Sequence, residues 1–410
     1  MAERHQSSVE TPYGWVIAIV SLTMMAFGYG IPYVVVVALK PIAAEFDWPR
    51  SWPALGNSCV YIGAGIGGIV MGWLTDRIGV MWPALLGSVM VGIGAVLVST
   101  SHGIGQFLLA HALFIGLLGN STTFTPLMAN VMRWFDRRRG VAAALVASGQ
   151  SVAGAVWPPI FSHTIDQFGW RATLFWFGLL CTAVMAPMAL FLHRRPPPQH
   201  ATALAAEPRR GEQVLGLPAN LVLAMLCLAI VGCCTAMAMP MVHTVAFCSD
   251  LGFQAERGAE MLSLLLACAF FSRLFWGRLS DRIGGLRTVL IGASCQAIML
   301  SLYLVADNLY ALYALSAGFG LAFGGIIPAY ALAVRDLFPS AEAGWRVGCI
   351  YLFGTTGMAL GAWLGGYIFD LTANYQAAFL VGVIFNVMNL ILIGTLVLRQ
   401  SRLRLRMAVA

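Results

Sequence analysis

Charge is scarce in this chain. Of its 410 residues only 10% are charged, and among 24 basic residues only one, Lys40, is a lysine. Ordinary soluble domains carry about 25% charged residues, so a soluble globular reading is excluded. The net charge of +7 sits in short loops between apolar runs. That placement speaks for membrane topology and against nucleic acid. The nine cysteines lie almost all within apolar runs, with no C-x-x-C pair and no neighbouring histidine cluster. They read as small packing residues, which excludes a disulfide frame and a zinc site. H-E-x-x-H, G-x-S-x-G and Walker loops are all absent. Enzyme readings therefore have no support, no cofactor or metal is expected, and transport, if present, is not ATP-driven. No cleavable signal peptide is visible, because the first apolar run, from about Tyr13, is long enough to stay as a span.

What is abundant is apolar length. Hydrophobic residues make up 59% of the chain, and uncharged stretches of 18 or more residues recur, each able to cross a bilayer as a helix. Twelve such segments are read, at about 13–38, 52–74, 80–100, 104–131, 140–163, 172–193, 218–246, 258–278, 285–305, 309–334, 345–368 and 376–398. Between the sixth and seventh runs "HRRPPPQHATALAAEPRRGEQ", a Pro-rich charged stretch with the composition of a flexible linker. The expected division is a six-helix bundle over 1–195, a linker over 196–216 and a second bundle over 217–410. The partner of so apolar a surface is the lipid bilayer.

The halves repeat each other. "GWLTDRIG" (Gly72–Gly79) and "GRLSDRIG" (Gly277–Gly284) stand 205 residues apart, each between the second and third segment of its half. Duplicated six-helix halves about an axis normal to the membrane characterise one large class of transporters. Nineteen basic residues fall in loops on the side of the termini and the linker, and four (Lys40, Arg50, Arg171, Arg257) on the other side. The asymmetry predicts cytoplasmic termini.

The octamers resemble the loop signature of the major facilitator superfamily, G-x-L-a-D-r-x-G. Gly72, Leu74, Asp76, Arg77 and Gly79 match, and Gly277, Leu279, Asp281, Arg282 and Gly284 match again. The resemblance implies an all-α membrane protein of twelve transmembrane helices in two pseudo-symmetric bundles. Asp76, Arg77, Asp281 and Arg282 are the expected conformational latch, since a carboxylate there can accept from helix N-termini and arginines. Two further stretches resemble the monocarboxylate transporter family: "YGWVIAIVSLTMMAFGYGIPY" (Tyr13–Tyr33) its first helix, and "RWFDRRRGVAAALVASGQSVAG" (Arg133–Gly154) its second signature. Arg273 matches that family's substrate-binding arginine. Tyr33 stands where animal members have a Lys, and Ala269 where they have an Asp. The pattern thus resembles bacterial members more, which implies the inner (plasma) membrane of a bacterium.

Arg273 also stands out on physical grounds. It lies 13 residues after Glu260 and eight before Asp281, about 20 Å and 12 Å along a helix. A central Arg costs about 2.5–3.5 kcal/mol on insertion scales, and it cannot shed its proton. No acid lies deep in any of the twelve segments. The simplest partner is an anionic substrate, held by the planar guanidinium fork; the competing readings are snorkelling and satisfaction by helix carbonyls. Tyr33, Tyr29, Asn120 and His243 reach comparable depth and complete the expected substrate site. His243 is the candidate proton carrier, set against a satisfied core histidine. Asn120 competes with interhelical hydrogen-bond glue. His111 reads as structural, Gln150 and Tyr351 as possible liners, and Met237, Met239 and Met241 as packing residues.

The expected function is secondary transport of a small monocarboxylate with a proton, by alternating access in a monomer. An anion exchanger of the oxalate/formate type would want a second buried cation. A drug or organic-solute exporter would want a membrane carboxylate.

Overall fold

A computed structural model describes residues 10–135, 138–194, 196 and 213–409. The spans are α1 (Pro12–Val37), α2 (Ser51–Ile78), α3 (Met81–Ser99), α4 (Ile104–Met132), α7 (Ala219–Asp250), α9 (Gly285–Leu302) and α10 (Leu309–Leu337). The long helical stretch through Val141–His193 turns at Gly169, whose φ of 78° and ψ of 162° end α5 and begin α6. α8 (Ala255–Ile283), α11 (Ser340–Thr372) and α12 (Tyr375–Val409) follow; with the 141–193 stretch divided at Gly169 and the bent α8 taken as one, the described residues make twelve spans, the number the apolar segments predict. α8 bends by 42° between Arg273 and Phe275. The Pro-rich stretch falls mostly outside the described residues. Its end forms a small antiparallel hairpin, β1 (Gln213–Val214) with β2 (Leu217–Pro218), which opens the second half.

Both octamer loops end on a glycine in a backbone region closed to other residues: Gly79 at φ 88°, ψ 160° and Gly284 at φ 86°, ψ 162°. Only a residue without Cβ adopts that conformation without strain. The repeat seen in the letters is therefore a repeat in the backbone.

Three spans of the first half are broken within their length. In α1, Pro32 lacks an N–H and its ring crowds the carbonyl of residue 28, and the helix turns at Tyr29 before resuming at Gly30. In α4, a wide π-helical stretch over Ala110–Gly119 gives way to a tight turn over Asn120–Thr122. Ser121, Thr122 and Thr123 donate back to the carbonyls of Leu117, Gly119 and Asn120 at 2.6, 2.8 and 2.7 Å. Such back-bonding competes with the helix ladder. α5 breaks at Ser148, whose hydroxyl takes the Ala144 carbonyl at 2.6 Å.

The halves meet along two seams. α2 lies on α11, where the Ser58 hydroxyl donates to the Ala359 carbonyl at 2.6 Å. A Cβ on Gly366 would come within 2.9 Å of the Ser51 Cα, so a larger residue there would part the helices. α5 lies on α8, where the Ser263 hydroxyl donates to the Ala155 carbonyl.

Candidate substrate-binding site

Helical geometry aims Arg273. Phe271 and Phe275, four residues apart on α8, are 68% and 62% exposed and face outward. Arg273 lies two residues from each, about 200° around the helix, and so points inward to the α5 seam. Its Nη1 donates to the Ala147 carbonyl, at the break in α5, at 2.6 Å. Its Nε is buried without a hydrogen-bond partner, and among the described residues no carboxylate pairs with it. The guanidinium is thus neither neutralised by an acid nor turned to lipid. It bridges the two halves through one backbone oxygen and keeps donor capacity in hand.

Four tyrosines gather here. Tyr33 and Tyr351 lie within electrostatic reach of Arg273. Tyr29 and Tyr61 in turn surround Tyr33. The Tyr33 hydroxyl fits over Gly154, where a Cβ would sit 2.8 Å from it. Tyr351 of α11 meets Phe124 of α4 edge-on, ring centres 6.0 Å apart, so the cluster spans both halves. Tyr61 is absent from the sequence reading; a single tyrosine in the glycine-rich run "YIGAGIGG" carries no pattern of its own.

Asn120 sits in the broken part of α4, 1% exposed, and neither side-chain atom of its amide has a partner. Its Oδ1 is 3.5 Å from where a Gly28 Cβ would stand, which sets it against α1 one residue before Tyr29. Each end of a buried amide left empty costs about 1–3 kcal/mol. A polar guest would recover that cost.

His243 is placed elsewhere. It is fully buried in the second half, with Nε2 on the Ala362 carbonyl at 2.8 Å, its ring 5.2 Å from Tyr375, and Gly365 leaving room for it. Because a carbonyl only accepts, Nε2 carries the proton and Nδ1 the lone pair, which has no partner. Its charged neighbours are Arg50 and Asp370 rather than Arg273. His111 packs on Phe107 and hydrogen-bonds that residue's carbonyl at 2.7 Å. Met237, Met239 and Met241 are buried among apolar side chains.

The octamer residues stay within their own halves. Asp76 pairs with Arg133 at 2.6 Å, and Arg77 stacks on Trp73 with 4.1 Å to the ring centre. Asp281 and Arg282 are exposed, with no ion pair among the described residues. Ion pairs between described residues of the two halves occur at the opposite face, here called the distal face. Asp250 at the end of α7 receives Lys40 at 2.9 Å and both terminal nitrogens of Arg50. Asp370 of α11 accepts from the Arg50 and Ser51 N–H groups at 2.8 Å each, so an acid of one half caps the first turn of α2 in the other. The Arg50 guanidinium lies 3.8 Å from the Phe369 ring centre. The sequence reading missed this clamp: loop charges 200 or more residues apart announce no pairing. Among the described residues, no group of three His, Cys, Asp or Glu is arranged to hold a metal.

Two six-helix halves around a polar centre define a membrane transporter. The sequence pattern of the Major Facilitator Superfamily matches residues 15–254 and 224–406, and the chain belongs to that superfamily. It is 26% identical over 382 residues to monocarboxylate transporter 13 of Bos taurus, covering 91% of this chain and 87% of that one. It is 24% identical to the uncharacterized MFS-type transporter YcxA of Bacillus subtilis, covering 85% and 86%. It is 26% identical to the MFS-type transporter opdF of Penicillium oxalicum, covering 82% and 77%. The fold superposes on the crystal structure of a bacterial homologue of the human lysosomal transporter Spinster with a TM-score of 0.74 at 13% identity, covering 96% and 98% of the chains.

Proposed function

We propose that this transporter carries a small monocarboxylate, together with a proton, by alternating access across the inner membrane of a bacterium, with both termini cytoplasmic. The observation that carries the reading is Arg273, which joins the halves through a single backbone carbonyl, without an acid among the described residues. A carboxylate is the ligand whose geometry matches the free side of the guanidinium. Tyr33 and Tyr351 supply hydroxyls beside it, and Tyr29 and Asn120 supply polar groups one layer further along α1 and α4. An anion that replaces the Ala147 carbonyl on Arg273 would also loosen the α5–α8 seam, which couples occupancy to movement of the halves. Among the described residues Arg346 is also buried but is paired with Glu342, so Arg273 is the buried guanidinium left without an acid, and one such cation suits a monocarboxylate better than a dicarboxylate.

For the proton, support comes from His243. Its Nδ1 is a buried base with nothing bound to it, and the ring is near Arg50 and Asp370 of the distal clamp. A proton there would add positive charge beside Arg50 and weaken its hold on the other half. In proteoliposomes, a panel of labelled acids from acetate to benzoate should show saturable uptake that rises with an inward proton gradient. Arg273→Ala should remove uptake, and His243→Gln should remove the response to the gradient. Uptake that survives the arginine substitution rejects the site; rates indifferent to the gradient in the unaltered protein reject the proton.

A further inference from the structure

A cavity of about 340 Å³ opens at the distal face, on the seam between the halves. Val36, Lys40, Ser162 and Asp166 of the first half face Val245 and Ser249 of the second across it. We propose that this cavity is a second binding site for the transported carboxylate, distinct from Arg273, with Lys40 as its cation. The proposal rests on the reading of the protein as a carboxylate carrier.

Three observations converge on it. The first is an empty hydroxyl: Ser162 is 2% exposed, lines the cavity, and its Oγ has no hydrogen-bond partner. The second is a cation that can be released. Lys40 uses two of its three donor positions, on Ser249 at 3.0 Å and on Asp250 at 2.9 Å. Asp250 does not depend on it, because both terminal nitrogens of Arg50 also hold that carboxylate. Lys40 can therefore turn its flexible stem towards a ligand without leaving a bare buried charge. The third is the character of the walls. Val36 and Val245 offer apolar surface for a short tail, while Asp166 at the exposed rim opposes a second negative charge. The volume lies near the lower end of the range for small-molecule sites, about 300–1,000 Å³. The ligand that fits is a small monoanion with an apolar tail. Its carboxylate competes with Asp250 for Lys40, so occupancy here removes one of the two cations that tie the distal face shut.

The chain's only lysine makes the test selective. Proteoliposomes of the full-length protein are treated from outside with the impermeant amine reagent trinitrobenzenesulfonate, with and without propionate or benzoate, whichever the protein transports. Lys40 modification is read by peptide mass spectrometry. The acid should slow it several-fold, with half-protection near the KM for uptake from the distal face; unchanged modification overturns the proposal. Lys40→Gln and Asp250→Asn then separate a ligand from a gate. As a ligand, Lys40 has opposite effects in the two variants. Losing it raises the distal-face KM about tenfold, the scale of one charge-assisted hydrogen bond, and losing its competitor lowers that KM. If Lys40 served only the clamp, both variants would break the same pair and move KM in the same direction, and the proposal would fall. In Arg273→Ala, protection of Lys40 should persist although transport is lost. A protected Lys40 in an arginine variant that still transports would reject the Arg273 site and leave this one standing.

Discussion

The two halves share a backbone and differ in their electrostatics. Gly79 and Gly284 have nearly the same φ and ψ at the ends of matching octamers. Yet Asp76 is engaged by Arg133 from the end of α4, while Asp281 has no ion pair among the described residues. In the second half an acid at the end of α10 takes over: Asp336 accepts from the Gly285 N–H at 2.9 Å and caps α9. The centre is just as unequal. Applying the 205-residue offset to Arg273 leads to Gly68, so only one half brings the cation, and the other offers the Ala147 carbonyl. Duplication preserved what the glycines require of the chain. The charges, free of that steric demand, were distributed differently.

This inequality can be tested. The largest effect belongs to Arg273: Arg273→Ala should leave no saturable uptake, a fall in kcat/KM of more than about 100-fold, or about 3 kcal/mol. Arg273→Lys, which keeps the charge and loses the fork, should lose about tenfold. Asp370→Ala comes next, since it uncaps the Arg50 and Ser51 N–H groups at the start of α2, while Asp250 keeps its hold on the Arg50 guanidinium. Loss of a cap costs about 0.5–2 kcal/mol, and thermal unfolding followed by tryptophan fluorescence should show a Tm lower by several degrees. Asp336→Ala removes a cap over one N–H within a single half, and its Tm should fall less than that of Asp370→Ala. The smallest effect separates the octamers. Asp76→Asn breaks an exposed pair worth about 0–1 kcal/mol, while Asp281→Asn should leave Tm unchanged. Equal losses at the two positions would mean that the halves are electrostatic copies after all.

Arg273 was legible because a charge in an apolar run violates the composition around it, and the octamers were legible because they repeat. Tyr33 and Tyr29 could be placed by depth along α1, and the structure sets both in the tyrosine cluster that includes Arg273. Depth was a poor guide for His243. A level along a helix says nothing about direction around it, and the ring turns into the second half to meet Ala362 and Tyr375. Tyr61 and the Lys40–Arg50–Asp250–Asp370 clamp had no local signature, since their meaning lies in partners from the other half.

The letters alone carried the membrane class, the span count, the duplication and a cation set inside an apolar run. Each follows from one-dimensional quantities: apolar length against bilayer thickness, a repeated motif, and a charge out of place. Only the tertiary structure decided which groups surround that cation and which charges join the halves. Those choices depend on the rotation of each helix and on where α1, α4 and α5 break, and both are settled by packing between segments far apart in the chain.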